Sequence, residues 1–343
     1  VDFDRLLSPI EGKVVLVDGS RLYRGIADRV EVSDDNGQTW KVFAKFQISF
    51  PVKILVRSHL ASRLLRLGLH HFVATDDGCF YAIFNRKLYK LNQHGIVLSG
   101  PEKIQEGRPL CVAVQGNKLI YGAYSSNEKR QPMRLFSYDG DEHHTLYKFQ
   151  GIRHIHGVFN DPYTAALYLT TGDYGDEAGI WKYSNGELTK IIGGGQQTRA
   201  VQLLFDEQYI YYSTDTPLEE NHIYRISRSD YSVSLLAEVA SSVFYGCKLG
   251  SYKFFSTVAE PSEVNTSDHI QLWGCLNEGA WVLLSNYKKD MLPMKYFQYG
   301  QLMFPHIKKE GEFLIFYKLG VTGSGRSYII PLDALYKYFG KHS

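Results

Sequence analysis

Apolar and aromatic residues fall in short runs along the chain, separated by polar turns, and the grouping recurs at about 45 residues. Five turns mark the period: Asp35-Asn36-Gly37, His94-Gly95, Asp139-Gly140, Asn185-Gly186 and Glu278-Gly279, with Ser229-Asp230 where a further glycine would fall. Asn-Gly and Asp-Gly suit tight hairpins because such turns need a positive φ. Before each turn lies a similar strand: Leu88 to Leu91, Leu135 to Tyr138, Ile180 to Tyr183, Ile223 to Ile226 and Ile270 to Trp273. Upstream are aromatic second strands (Leu119 to Gly122, Leu167 to Thr170, Tyr209 to Ser213, Tyr252 to Ser256), preceded by apolar first strands such as Leu110 to Val114, Ile155 to Phe159 and Val201 to Phe205. Fourth strands such as Leu188 to Ile192 and Val282 to Ser285 follow the turns. Four strands per repeat predict an all-β chain, a single β-propeller of about seven four-stranded blades. Six blades is the alternative if the short first repeat is incomplete.

The expected blades lie near residues 13–47, 70–104, 108–150, 152–193, 198–240, 242–288 and 294–332, all in one domain spanning 1–343. The last shows only three strands, so Val1 to Leu7 is expected to supply its outer strand and leave no open sheet edge. Between the first two blades, Ile54, Leu55, Leu60 and Leu64 keep helical spacing up to Gly68. They predict one amphipathic helical insertion over 54–67, packed on the propeller.

Composition agrees with many short strands: 25 Tyr, 19 Phe and 31 Gly against 11 Pro and 4 Met. Lys plus Arg (38) nearly balances Asp plus Glu (36), which argues against nucleic acid or an anionic membrane as the partner. No apolar run is long enough to cross a membrane. Cys79, Cys111, Cys247 and Cys275 sit in separate apolar runs and read as buried thiols, which favours a reducing, cytoplasmic setting. The compartment stays open, because the chain does not begin with Met. No CxxC, HExxH or paired-histidine zinc spacing occurs, and no phosphate loop or cofactor motif, so neither metal nor cofactor is expected.

Residues Ser33 to Trp40 read Ser-Asp-Asp-Asn-Gly-Gln-Thr-Trp and match Ser-x-Asp-x-Gly-x-Thr-Trp at every fixed position. On this motif the chain resembles the BNR or Asp-box repeat propellers, a group that includes sialidases and other glycoside-processing enzymes. The segment from Arg153 through Asp161-Pro162-Tyr163-Thr164 to Asp173 is similar to bacterial members of the same group. The Phe/Tyr-Arg-Ile-Pro sequence of sialidases is replaced here by Tyr23-Arg24-Gly25-Ile26. The box itself is a folding device, in which Asp accepts backbone N–H groups across the turn and Trp packs on a neighbouring strand.

The long polar loops, Tyr124 to Pro132, Gly172 to Gly179, Thr214 to Asn221 and Ala259 to Asp268, all join second to third strands, so one rim is the expected functional face. Arg108, Arg153 and Arg199 occupy equivalent places ahead of three successive first strands. Converging, they form a carboxylate clamp; the structural alternative is that each is used in an internal ion pair. Nearby fall His154, His156, Asp173, Asp176 and Glu177, with Tyr124 and Tyr245 on adjacent walls and His71 facing the channel. A rim carboxylic acid can protonate a leaving oxygen, and a His and Tyr pair can remove a proton α to a uronate carboxylate. The expectation is a glycan-active propeller, a glycoside hydrolase or lyase acting on an acidic saccharide. The alternative is a noncatalytic carbohydrate- or protein-binding propeller.

Overall fold

The computed structural model describes residues 2–341. Its strands form seven sheets, each built on an antiparallel four-stranded meander, and the fold is a seven-bladed β-propeller. Second strands are buried along nearly their whole length, as in Phe80–Phe84, Leu167–Thr171 and Tyr252–Thr257, because both faces meet neighbouring sheets. Fourth strands such as Val97–Lys103 are largely exposed. This gradient explains why the inner strands read as continuous apolar runs rather than as alternating patterns.

The chain divides into two compact units. Unit 1 comprises Val1–Lys103, Cys247–Ala259 and Asp268–Ser343. Its first blade holds Lys13–Asp18, Arg21–Ile26, Arg29–Ser33 and Lys41–Lys45, with His306–Lys309 added in parallel to Lys13–Asp18 as an unforeseen fifth strand. The core around this blade and the next is aromatic, with Phe72 stacked on Phe80 at 5.0 Å and Phe46 on Phe84 at 4.4 Å. Most of the Phe and Tyr excess is used in such packing.

The hairpin at Ser33–Trp40 has the geometry its residues imply. Asp35 Oδ1 accepts the N–H groups of Gln38 (3.1 Å) and Thr39 (2.9 Å), Gly37 takes φ +89°, and Trp40 Nε1 donates to the Gly37 carbonyl at 3.0 Å. Arg24 lies over the Trp40 ring at 4.0 Å.

Two expectations for unit 1 need correction. The strand completing the last sheet is Ser8–Glu11, paired antiparallel with Arg326–Pro331, whereas Phe3–Leu6 forms a 3-10 turn. Val1 of the expected closing segment lies outside the described residues. The insertion is two short helices, Phe50–Arg57 and His59–Leu65, because Ser58 leaves helical geometry and its Oγ accepts the Ala61 N–H as an N-cap. Its apolar residues Ile54, Leu55, Leu60 and Leu64 are exposed. The buried group is instead Arg63, which donates to Asp290 at 2.5 Å and to the Phe297 carbonyl at 2.8 Å. A C-terminal helix, Leu332–Phe339, was not foreseen; it buries Leu335, Tyr338 and Phe339.

Unit 2 comprises Ile104–Gly246 and Glu260–Ser267. It holds three whole blades. The third of the chain is Val112–Gln115, Lys118–Gly122, Met133–Tyr138 and His143–Phe149. The fourth is Ile155–Asn160, Leu167–Thr171, Gly179–Ser184 and Glu187–Gly193, and the fifth is Ala200–Phe205, Tyr209–Thr214, Asn221–Ser227 and Val233–Val239. The Asp161 turn of the fourth blade is tied to the fifth: Arg228 donates Nη1 and Nη2 to the Asp161 carboxylate at 2.7 and 2.8 Å. No helix among the described residues is long and apolar enough to cross a membrane.

Candidate functional site

The densest cluster of ionisable side chains in unit 2 is built where the fourth blade begins. His154 and His156 are two residues apart on extended chain, so both imidazoles leave from one face. A register shift between Ile155 and Gly157 bends the strand there. Asp173 is delivered by the neighbouring strand through Gly172, whose φ is +86° and whose N–H donates to the His154 carbonyl at 3.1 Å. A Cβ at Gly172 would stand 2.0 Å from the Glu177 carbonyl oxygen, so only glycine fits this crossing.

The result is a compact triangle. The Nε2 atoms of His154 and His156 are 2.9 Å apart, and Asp173 Oδ1 lies 3.3 Å from the first and 3.2 Å from the second. All three residues are buried, at 6, 2 and 4% exposure, so the cluster lies beneath the rim surface. Each imidazole places its other nitrogen against a backbone carbonyl: His154 Nδ1 is 3.2 Å from Ser125 O, and His156 Nδ1 is 3.1 Å from Ala200 O.

Arg153 Nη1 donates to Asp173 Oδ2 at 2.9 Å, and Gln196 Nε2 donates to the Asp173 carbonyl at 2.7 Å. Burial works against the charged carboxylate. The two imidazoles beside it and the Arg199 guanidinium, whose Nη2 is 3.4 Å from Asp173 Oδ1, outweigh it and hold Asp173 far below the usual carboxylate range. Asp215 behaves oppositely. Arg199 donates to its Oδ2 through Nε (3.3 Å) and Nη2 (3.2 Å), but Oδ1 is buried without a hydrogen-bond partner. Burial therefore pushes this carboxyl up to about 6 despite the opposing charge of Arg199. The Tyr124 ring lies 4.3 Å from the His154 ring. Its hydroxyl is pushed up to about 12, by burial first and then by Asp215 and Asp173.

Two of the three expected clamp residues, Arg153 and Arg199, are thus ion-paired with Asp173 and Asp215. Arg108 is half-buried, and its backbone N–H donates to the Tyr124 carbonyl at 2.9 Å. Asp176 is exposed, and its carbonyl accepts Lys190 Nζ at 2.7 Å. Glu177 receives a bidentate pair from Arg130, at 3.0 and 2.8 Å, and the Tyr174 N–H at 3.2 Å, so it shapes its loop. Tyr245 is half-buried in unit 2, and burial raises its hydroxyl pKa well above that of free tyrosine. His71 belongs to unit 1, where its Nδ1 is 3.2 Å from His306 Nε2.

No family model matches the chain, and no curated protein sequence matches it. Solved structures do. The extracellular domain of a proposed one component system from B. thetaiotaomicron aligns over 94% of this chain at 13% identity and a TM-score of 0.57. The same domain described as part of a hybrid two component system gives 12% and 0.57. This chain covers 39% of the length of either. The computationally designed Ika8 protein aligns over 95% of this chain and 98% of its own, at 9% identity and a TM-score of 0.50. These likenesses extend to the propeller fold.

Asp215, Gln196, Arg130 and Glu260 were not foreseen as part of this region. Asp215 had a readable signal: Arg199 and Asp215 repeat in the fifth blade the arrangement of Arg153 and Asp173 in the fourth. The spacing argument against a metal site looked only along the chain. Across the fourth blade, one ligand-type atom each from His154, His156 and Asp173 lies within 4.8 Å of the others.

Proposed function

We propose that this chain is a ligand-binding propeller whose recognition surface is the unit 2 rim around Arg153 and Tyr124, and whose ligand is a saccharide. The observation that carries the reading is that Arg153 and Arg199 are already balanced by Asp173 and Asp215. Ion-paired guanidinium groups offer fixed N–H donors to hydroxyls without the surplus positive charge of a carboxylate clamp. Arg153 keeps a quarter of its side chain exposed, and Tyr174 exposes ring surface on which a sugar can stack. A similar propeller described as the extracellular domain of a one component system supports binding over turnover.

A second reading, a hydrolase or lyase acting on an acidic saccharide, is favoured by Asp215. A carboxyl that titrates near 6 can donate a proton close to neutral pH. One experiment addresses both readings. The protein is screened against neutral and acidic oligosaccharides, with affinity and product formation measured on the same samples. The first reading expects saturable binding without product, weakened in Arg153→Ala. Product formation that disappears in Asp215→Asn replaces it with the second, and affinity for no glycan overturns both.

A further inference from the structure

The two histidines pose a problem of donors and acceptors. A backbone carbonyl only accepts, so the contacts of Ser125 O and Ala200 O place a hydrogen on Nδ1 of each imidazole. The Nε2 atom of a neutral ring is then a lone pair. Two such lone pairs face each other at 2.9 Å, and the third atom of the triangle, a carboxylate oxygen, is also an acceptor. Arg199 Nη2 stands 3.4 Å from that oxygen but does not reach the imidazole lone pairs, and a proton between two of the three atoms leaves the third facing them. A metal ion satisfies all three.

We propose that His154 Nε2, His156 Nε2 and Asp173 Oδ1 form a binding site for one first-row transition-metal dication. Three independent features support it. The first is size: an ion bonded at about 2.0–2.1 Å sets neighbouring ligand atoms about 2.9 Å apart in octahedral and about 3.4 Å apart in tetrahedral geometry. The observed separations of 2.9, 3.2 and 3.3 Å fall within that window. The second is the outer layer. Both imidazoles donate Nδ1–H to backbone carbonyls, and Asp173 is held by Arg153 and Gln196, the kind of support that orients metal ligands. The third is charge. Arg153 and Arg199 are met by Asp173, Asp215 and Glu260, so with neutral histidines the group is negative before an ion enters.

The donor set narrows the ion. Two imidazoles and one carboxylate suit Zn²⁺ and its first-row neighbours, whereas Mg²⁺ and Ca²⁺ prefer all-oxygen sites. Three protein ligands are also the number found in zinc sites that keep a coordination position open. The site does not depend on which molecule the rim recognises, since its ligands are buried beneath it.

The full chain, stripped with a chelator, is titrated with Zn²⁺ near neutral pH by calorimetry, and bound metal is counted by elemental analysis. Co²⁺ in place of Zn²⁺ gives a visible spectrum reporting imidazole ligation, a readout that needs no variant. The expected result is one equivalent per chain, a cobalt spectrum of mixed nitrogen and oxygen ligation, and a melting temperature that rises with metal and falls back with chelator. His156→Ala and Asp173→Asn, verified as folded by circular dichroism, should each weaken binding by more than the roughly 10- to 100-fold that loss of an outer partner costs. His222→Ala, in the group formed by exposed Glu220 and Glu238 and half-buried His222, should leave binding unchanged. The proposal is overturned if wild-type protein shows no saturable uptake and no cobalt spectrum. Uptake that survives both triad variants, or disappears in His222→Ala, overturns it equally.

Discussion

Removing the buried Asp161 carboxylate should destabilise the protein more than removing any exposed carboxylate of unit 2. The Asp161 side chain is 0% exposed and its partner Arg228 14%, and two charged hydrogen bonds of 2.7 and 2.8 Å join them. Asp161 also accepts the Tyr163 N–H at 3.1 Å and the Thr164 hydroxyl, so it organises its own turn. Breaking a buried ion pair on one side costs about 3–5 kcal/mol, because the remaining charge stays buried without its counterion. An unfolding entropy of about 2.1 cal/mol/K per residue over 343 residues corresponds to about 0.7 kcal/mol/K. Asp161→Ala should therefore lower Tm by about 4–7 °C if the chain melts as one unit. Calorimetry and urea unfolding measure this directly. The double variant Asp161→Asn with Arg228→Met should recover part of the loss, because it removes the orphaned guanidinium. A loss below about 1 kcal/mol in Asp161→Ala, or a double variant as unstable as the two singles added together, would refute the argument.

Gly172→Ala should cost at least about 2 kcal/mol more than Gly186→Ala; both glycines have positive φ, but only at Gly172 does the new Cβ meet a carbonyl, at 2.0 Å. Paired denaturant titrations check this. Between pH 4 and 6 two groups should bend the stability curve in opposite directions. His306 is pushed down to about 4 by burial and the Lys13 charge, so the unfolded chain binds the extra proton and stability rises with pH from about 4 to the ordinary histidine value of 6.5. Asp215 is pushed up to about 6, so the folded chain holds the extra proton and stability falls from the ordinary value of 3.8 to about 6. Urea midpoints against pH should lose the rising component in His306→Gln and the falling one in Asp215→Asn. Asp35→Ala should abolish hydrogen-exchange protection at the Gln38 and Thr39 amides while leaving unit 2 amides unchanged, measured by exchange mass spectrometry.

The blades were legible because what punctuates them is local chemistry. Asp35 and Trp40 close their hairpin with bonds to its own backbone, and second strands such as Phe80–Phe84 are apolar because both faces are covered. The insertion misled for the opposite reason. Ile54, Leu55, Leu60 and Leu64 keep helical spacing straight through Ser58, and only the Ser58 Oγ bond to Ala61 reveals the break. The burial of Arg63 depends on Asp290, 227 positions away, which no pattern in its own segment encodes. In the candidate site, aligning repeats singles out the arginines and places His154, His156 and Asp173 beside them, but their mutual contact is not readable, because it depends on the bulge at Ile155 and on the left-handed turn at Gly172. Asp215 needed the same alignment carried one blade further.

The sheet that joins Ser8–Glu11 to Arg326–Pro331 also sets a timetable for biosynthesis. Ser8 sits opposite Ile329, so the early strand has no partner until Arg326–Pro331 has left the ribosome. Blades whose four strands are consecutive can assemble as they emerge. This clasp can only snap shut once that late strand emerges, and until then the nascent polypeptide carries a bare strand edge that a chaperone or a neighbouring nascent chain can capture.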